Sequence, residues 1–148
     1  MLEYLTDEVV NHLLTNQWFV RIACAMGDEV ALVPVTYFFN GQHIYGHTRE
    51  GTKTRLMRQN PNVCFEVDKM VSTTLWRSVV VHGTFEELTG DDRLWALQRL
   101  GPRQAPFFAD ERPAKDGPQS GETRHLTAPE TVVYRIRIQS KTGRSIQR

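Results

Sequence analysis

The sequence predicts a mainly antiparallel β-barrel with a few helices. About six short segments are rich in β-branched and aromatic residues, which favour strands. Turn signals separate several of these segments at hairpin spacing, and Asn40-Gly41 is the strongest of them. Only a few segments have helical periodicity. Closing an antiparallel sheet into a barrel removes the edges at which chains aggregate, so a barrel is the expected architecture.

The first half of the chain is predicted to form one helix and three strands. The helix is expected over Thr6–Asn16, where Thr6 can cap the first turn and apolar residues recur on one face. Strands are predicted at Trp18–Ala25, Val30–Phe39 and His43–His47. The turns between them are Gly27-Asp28 and Asn40-Gly41.

In the second half, two more helices alternate with three strands. A short basic helix is expected over Thr48–Gln59 because Asn60-Pro61 then ends it. Another helix is expected over Asp91–Leu100, with Gly90 before it and Gly101-Pro102 after it. Strands are predicted at Val63–Val67, Trp76–Glu87 and Thr131–Ile138.

The bulk properties indicate one ordinary globular domain over residues 1–148. Residues 102–129, rich in proline and glycine, are expected to form an irregular loop within it. A formal net charge of +1 gives no reason to expect nucleic acid or a membrane as partner. The chain lacks both an apolar run long enough for a membrane helix and a signal-peptide pattern, so a cytoplasmic location is expected.

The cysteines and most histidines are expected to be structural. Cys24 and Cys64 lie in apolar runs and are interpreted as buried reduced thiols. His82 lies in an apolar strand and is interpreted as a hydrogen-bonded histidine of the barrel, while His12 and His43 are expected at the surface. The spacing of His and acidic residues does not match a metal site.

The segment from Ile44 to Arg55 is the first candidate for chemistry. A strand ends there, hydroxyl-bearing residues follow, and Lys53 lies near the start of a helix. Helix N-termini expose unpaired N–H groups and a partial positive charge, which suits a phosphate. Thr48, Thr52 and Lys53 would add side-chain contacts. A solvated basic helix remains the alternative.

Trp76-Arg77-Ser78 is the second candidate because it opens a strand at the rim of the predicted barrel. There Trp76 can stack on a ring system, and Arg77 and Ser78 can donate hydrogen bonds to it. A core tryptophan beside a solvated arginine is the alternative.

The order "VPVTYFFNGQHIYGHTREGTKTRLMRQNPNVCFEV" followed by "WRSVVVHG" resembles the pyridoxamine 5′-phosphate oxidase-like superfamily of flavin mononucleotide (FMN)-binding split barrels. Within it, the small nitroimidazole-reductase-like branch is the most similar. The ending "VYRIRIQSKTGRS" is similar to the last strand of that family. The resemblance implies an antiparallel split β-barrel and a homodimer with FMN at the subunit interface.

The resemblance also implies which residues hold the flavin. The strand Ala31–Thr36 would lie along the ring, mainly through its backbone, and Arg77 and Ser78 would reach the flavin, from the other subunit in one arrangement. His47 and Thr48 would contact the flavin and its tail, and Thr52 and Lys53 would bind the phosphate. With Trp76 as a stacking group, the predicted cofactor site comprises Val33, Pro34, Val35, Thr36, His47, Thr48, Thr52, Lys53, Trp76, Arg77 and Ser78.

Two departures from the family pattern narrow the expected activity. Thr52 stands where the oxidases often have arginine, and Gln139–Arg148 lacks the Arg- and His-bearing motif that binds the phosphate of vitamin B6. We therefore expect an FMN-dependent oxidoreductase acting on a small organic acceptor, not a pyridoxamine phosphate oxidase. His47 is the catalytic candidate since it titrates near neutrality, and shaping the pocket is its alternative role.

Other functions remain open from the sequence. One is a flavin- or haem-binding carrier or sensor without turnover, in which His125 could bind the haem iron, although a surface histidine is the favoured interpretation of that residue. Another is a reductase that uses a deazaflavin in place of FMN.

Overall fold

The computed structural model describes residues 1–101 and 131–148, so the loop predicted at 102–129 and His125 lie outside the described residues. The described chain forms seven strands and three helices. In order they are β1 (Leu2–Tyr4), α1 (Asp7–Asn16), β2 (Phe19–Met26), β3 (Glu29–Phe39), β4 (His43–Arg49), α2 (Thr52–Gln59), β5 (Asn62–Met70), β6 (Leu75–Glu87), α3 (Gly90–Leu100) and β7 (Thr131–Gln147).

Strands β2 to β7 form a closed ring, which confirms the predicted barrel. The sheet order is β1-β7-β4-β3-β2-β5-β6, and β6 also pairs with β7. Every pairing is antiparallel. The short strand β1 pairs with the far end of β7 and lies outside the ring. No helix in the described parts of the chain has the length and apolar character needed to cross a membrane.

The barrel interior is filled by alternate residues of each strand, as the two-residue period of strands requires. Val20 and Ile22 of β2 and Val79 and Val81 of β6 are examples, and all four are buried in one core cluster. The helices α1 and α2 add residues to that core, namely Val10, Leu13, Leu14, Leu56 and Met57. The hydroxyl of Tyr37 donates a hydrogen bond of 2.6 Å to the carbonyl oxygen of Leu14.

The last strand is longer than the sequence suggested. The prediction ended it at Ile138, but β7 continues to Gln147 and pairs with β6 across an irregularity at His82/Gly83. A Cβ added at Gly143 would lie 2.6 Å from Cγ2 of Val10, so glycine lets α1 pack closely on this extension. The sequence analysis also missed β1, whose residues pair with Arg144–Ile146.

The boundary between β4 and α2 also differs from the prediction. Thr48 was expected at the start of the helix, but β4 continues to Arg49 and α2 begins at Thr52. The reason is the ladder to β7, in which Thr48 pairs with Val132. Thr48 is therefore a strand residue, and only Thr52 and Lys53 belong to the first turn of α2.

Three expectations about single side chains were wrong or incomplete. His82 is exposed on the outside of β6 and not buried in the barrel. Cys24 is buried as expected, but Cys64 is only half-buried. His43 is half-buried, with its ring centroid 6.1 Å from that of Tyr45, and His12 is exposed as expected.

Candidate functional site

The N-terminus of α2 differs from those of the other helices. Thr6 caps α1, and both α1 and α3 carry acidic residues in the first turn. In α2 the N-cap residue is Gly51, which has no side chain to accept a hydrogen bond, and the first turn contains no acid. The first N–H groups of α2 therefore receive no cap from the side chain of Gly51 and no acid within the first turn, and this favours an anion at this position.

Lys53 lies in this first turn and is half-buried. Burial of its ammonium group lowers the pKa of Lys53 below its ordinary value. The backbone carbonyl of Lys53 accepts a weak hydrogen bond from the buried Cys24 thiol, with 3.8 Å between sulfur and oxygen. A partly desolvated cation at the start of a helix fits a phosphate group, whose negative charge would stabilise the ammonium group of Lys53.

The opposite side of α2 is anchored by an ion-pair cluster. Arg58 forms hydrogen bonds with the carboxylates of Glu50 and Glu87, and these raise the pKa of Arg58 further above its ordinary value. Thr54 donates to Glu50 at 2.9 Å and accepts from the Gly51 N–H at 2.9 Å. A cavity of about 270 Å³ adjoins the three members of the ion-pair cluster. Because Arg58 binds carboxylates from both sides of the contact, the cluster holds α2 against the end of β6.

The barrel presents on β2, β3, β5 and β6 a group of outward side chains that are exposed or half-buried in the described part of the chain. We define its open face as Arg21, Val30, Leu32, Pro34, Glu66 and Ser78. Val30 and Leu32 are 74% and 66% exposed, high values for aliphatic side chains. Arg21 pairs across the strands with Pro34 on one side and with Glu66 on the other. The open face therefore combines an apolar part on β3 with a polar part on β2 and β5.

The polar part of the open face is a hydrogen-bonded cluster. The hydroxyl of Ser78 donates to Oε2 of Glu66 at 3.1 Å. One guanidinium nitrogen of Arg21, Nη1, lies 3.5 Å from Oε1 of Glu66 and 3.5 Å from Oδ2 of Asp68. Burial raises the pKa of Glu66, and the neighbouring Asp68 carboxylate raises it further, while Ser78 and Arg21 act in the opposite direction.

The predicted cofactor residues divide between the two sides of the sheet. Pro34, Thr36, Trp76 and Ser78 alternate with core residues and lie on the outward side, as does His47, which is 7% exposed. The inward side holds Val33, Val35, Thr48 and Arg77. The side chains of Val33 and Val35 therefore pack in the barrel, so these two residues could meet a ligand outside it only through their backbone.

Arg77 and Ser78 lie on opposite sides of the sheet. Arg77 lies on the same side as the buried Val79, and its Nε is buried with no hydrogen-bond partner among the described residues. The ring of Trp76 lies 5.4 Å from the guanidinium carbon of Arg148. Of the tripeptide, Ser78 is the residue that joins the polar part of the open face.

Arg21 and Glu66 were missed by the sequence analysis. Arg21 interrupts the apolar segment of β2, and Glu66 and Asp68 alternate with Phe65 and Val67 in β5. That alternation places the charged residues on the outside of each strand. Their proximity could not be inferred, because the register between β2 and β5 joins segments far apart in sequence.

Comparisons with known proteins agree with this architecture. A family model described as pyridoxamine 5′-phosphate oxidase matches residues 6–145. An uncharacterized protein of Rhizobium meliloti (strain 1021) is 38% identical over 132 residues, which cover 84% of this chain and 82% of that protein.

Two solved structures extend the comparison. A FAD-binding protein from Mesorhizobium loti has a TM-score of 0.76 at 28% identity, with 99% of each chain covered. A proposed 5-nitroimidazole antibiotic resistance protein from Bacteroides thetaiotaomicron has a TM-score of 0.71 at 12% identity, with 98% of this chain and 87% of that chain covered. The match to the family model spans nearly the whole sequence and confirms the expected family. The chain belongs to the pyridoxamine 5′-phosphate oxidase family.

Proposed function

We propose that the protein binds FMN, with the phosphate at the start of α2 and the flavin ring on the outside of the barrel beside β3. The observation that carries this proposal is the N-terminus of α2, which has glycine as its N-cap residue, no acid in its first turn and the half-buried Lys53. The similarity to a FAD-binding protein from Mesorhizobium loti supports a flavin as the ligand. The exposed apolar side chains of β3 offer a surface on which a large ring system would be shielded from water.

We further propose that the protein is an oxidoreductase for a small organic acceptor. The flavin supplies the redox chemistry when bound, and the protein supplies placement and electrostatics. Thr52 and Lys53 would hold the phosphate, and the backbone of Val33–Thr36 would lie along the ring. His47 is the candidate for proton exchange, since it lies on the outward side of β4 near the end from which the chain leads into α2.

Vitamin B6 is not the substrate we propose. In this chain Gln139–Gln147 is a strand that pairs with β6, and it lacks the Arg- and His-bearing motif of the oxidases. A nitroaromatic compound or a quinone, which accepts electrons without needing such a phosphate site, suits the protein better.

The open face is also where we propose that a second copy of the chain docks. Val30 and Leu32 give it an apolar character that favours burial in an assembly. A homodimer formed here would cover the ring of the bound flavin and complete its site. Thr36 and Ser78 lie on strands separated by β2 and β5, so contacts from two subunits would let both approach a flavin.

FAD is the second candidate cofactor, because the protein from Mesorhizobium loti is described as FAD-binding. FMN and FAD share the flavin ring and the first phosphate. The residues at α2 and on the open face would therefore bind either cofactor. FAD differs from FMN only in the adenosine monophosphate group that is attached to this first phosphate.

The test begins with the absorbance spectrum of the purified protein and mass analysis of what it releases on denaturation. We expect the flavin bands and the mass of FMN, whereas the mass of FAD would select the second candidate. Bleaching by reduced nicotinamide and reoxidation by a nitroaromatic compound would support the oxidoreductase. A protein that is colourless and does not bind added flavin would refute the proposal.

A substitution at Lys53 tests whether the start of α2 binds the phosphate of FMN. Lys53→Ala should weaken FMN binding by about 10- to 100-fold, since a charge-assisted hydrogen bond contributes about 1.5–3 kcal/mol. Lys69→Ala, which removes an exposed lysine from β5, is the matched control and should bind FMN like the wild type. Equal affinities of the two variants would contradict the assignment.

A further inference from the structure

Arg21 and Glu66 form the centre of the open face. They occupy one row across the sheet, in which Pro34, Arg21, Glu66 and Val80 are consecutive partners on β3, β2, β5 and β6. Adjacent strands lie about 4.8 Å apart, so Glu66 is about 10 Å from Pro34 along this row. A flavin ring that begins over β3 and extends along the row would end at Arg21 and Glu66.

Arg21 can donate hydrogen bonds to a ligand and Glu66 can accept them, so together they suit a ligand that has both an acceptor and a donor. The contacts of Arg21 with Glu66 and Asp68 both use the same nitrogen, Nη1, and both are long at 3.5 Å. A guanidinium group carries five N–H donors, so most of its capacity is available. Ser78 holds one oxygen of Glu66 at 3.1 Å, which fixes the carboxylate and leaves lone pairs on both oxygens.

The two ends of a flavin ring differ in polarity. The dimethylbenzene end is apolar, whereas the pyrimidine end has an imide N–H between two carbonyl oxygens. A carboxylate beside a guanidinium matches an N–H beside a carbonyl, and the charges make both hydrogen bonds stronger than neutral ones. The apolar end has no group that would compensate for covering these charges.

We propose that Arg21 and Glu66 bind the pyrimidine end of the flavin, with Glu66 accepting from the imide N–H and Arg21 donating to the adjacent carbonyl. Ser78 is then a positioning residue, because it acts by holding Glu66. This inference rests on the flavin site proposed above. It applies equally to FMN and FAD, which have the same ring.

The test compares FMN with 3-methyl-FMN, in which a methyl group replaces the imide hydrogen. Dissociation constants are measured by quenching of flavin fluorescence. We expect the wild type to bind FMN about tenfold or more tightly than 3-methyl-FMN, because methylation leaves Glu66 facing a group that cannot donate. In Glu66→Ala this preference should fall below about twofold.

Two further variants make the test specific. Ser78→Ala, whose substitution is small enough to preserve the fold, should reduce the preference for FMN. Asp68→Asn changes an exposed carboxylate on the same strand that also contacts Arg21, and it should keep the wild-type preference. Circular dichroism checks that each variant is folded.

The outcomes separate this inference from the flavin proposal. If wild type and Glu66→Ala bind FMN and show the same preference over the methylated compound, Glu66 does not contact the imide and the inference is wrong while the flavin site stands. If the wild type binds neither compound, both proposals are wrong. An unchanged preference in Ser78→Ala would refute the positioning role.

Discussion

The outer surface of the barrel has two regions that are built in different ways. On the covered face, outside β4 and β7, Tyr45 and Val133 are buried with Ala96 and Leu100 of α3. On the open face, Leu32 is 66% exposed and Arg21 and Glu66 lie beside it. Both faces belong to the same antiparallel ring, so the difference lies in their side chains and in where the helix packs.

The covered face is built for packing within the chain, whereas the open face has the composition of a binding surface. The covered face has the aromatic cluster Phe38, Tyr45 and Trp95, in which the rings of Tyr45 and Trp95 are 5.0 Å apart. On this face the chain provides its own cover and gains stability. On the open face apolar and charged groups lie together and stay exposed among the described residues, a composition that agrees with the ligand and second subunit proposed there.

The largest effect is expected on the covered face, from Trp95→Ala. Removing the indole leaves Tyr45 and Phe38 without their partner and should lower the free energy of unfolding by about 3 kcal/mol. Leu94→Ala, at a neighbouring residue that is 60% exposed, should change it by less than about 0.5 kcal/mol. Urea denaturation of the flavin-free protein measures both. Similar values for the two variants would show that α3 is not a structural cover.

On the open face, Leu32→Lys should weaken the proposed homodimer. A lysine in the proposed interface would be desolvated without a partner, so dimer affinity should fall about 100-fold or more, which corresponds to about 2.7 kcal/mol. Leu94→Lys on α3 is the matched control and should remain dimeric. Sedimentation at several protein concentrations gives the measurement. A Leu32→Lys protein that dimerises like the wild type would place the interface elsewhere.

Much of the fold on which the two faces are built is encoded locally and could be predicted from the sequence. The β-branched and aromatic composition of β2, β3 and β6 identified the strands, and Thr6 was correctly predicted to cap α1. The order of motifs identified the family. These features depend on neighbours in sequence or on a pattern along a single strand, which is the information that a sequence presents directly.

Features that depend on pairing between distant segments could not be predicted. Thr48 reads as a helix residue until its partner Val132 is known, and the polar end of β7 reads as a tail until it pairs with β6. Arg77 and Ser78 are adjacent in sequence, yet they lie on opposite sides of the sheet. The cluster of Arg21 and Glu66 likewise exists only because of the register between β2 and β5.

Substitutions of the buried Thr54 and the exposed Thr52 of α2 should have smaller effects, one on stability and the other on FMN binding. Thr54 is fully buried and holds the Gly51 N–H and Glu50, so Thr54→Ala should lower the free energy of unfolding by about 1 kcal/mol. Thr52 is exposed, and Thr52→Ala should leave stability unchanged while weakening FMN binding about fivefold. Urea denaturation and FMN titration of both variants provide the test. If Thr52→Ala also lost stability, its role would be structural.

The smallest expected effect concerns Glu66 and pH. Burial and Asp68 raise the pKa of Glu66 in the folded chain, so the folded state binds its proton more readily than the unfolded state does. The stability contributed by this group is thus fully present below the unfolded pKa and is lost as the pH rises through the folded pKa.

Glu66→Gln removes that pH dependence. At pH 7 the flavin-free variant should be more stable than the wild type by less than about 1 kcal/mol, since the site is partly solvated. Below about pH 4, where the wild-type carboxyl is protonated in both states, the two proteins should be equally stable. Urea denaturation at both pH values measures the difference. A variant less stable than the wild type at pH 7 would mean that the Arg21 ion pair outweighs burial, and the open face would then be partly stabilised by its own charges.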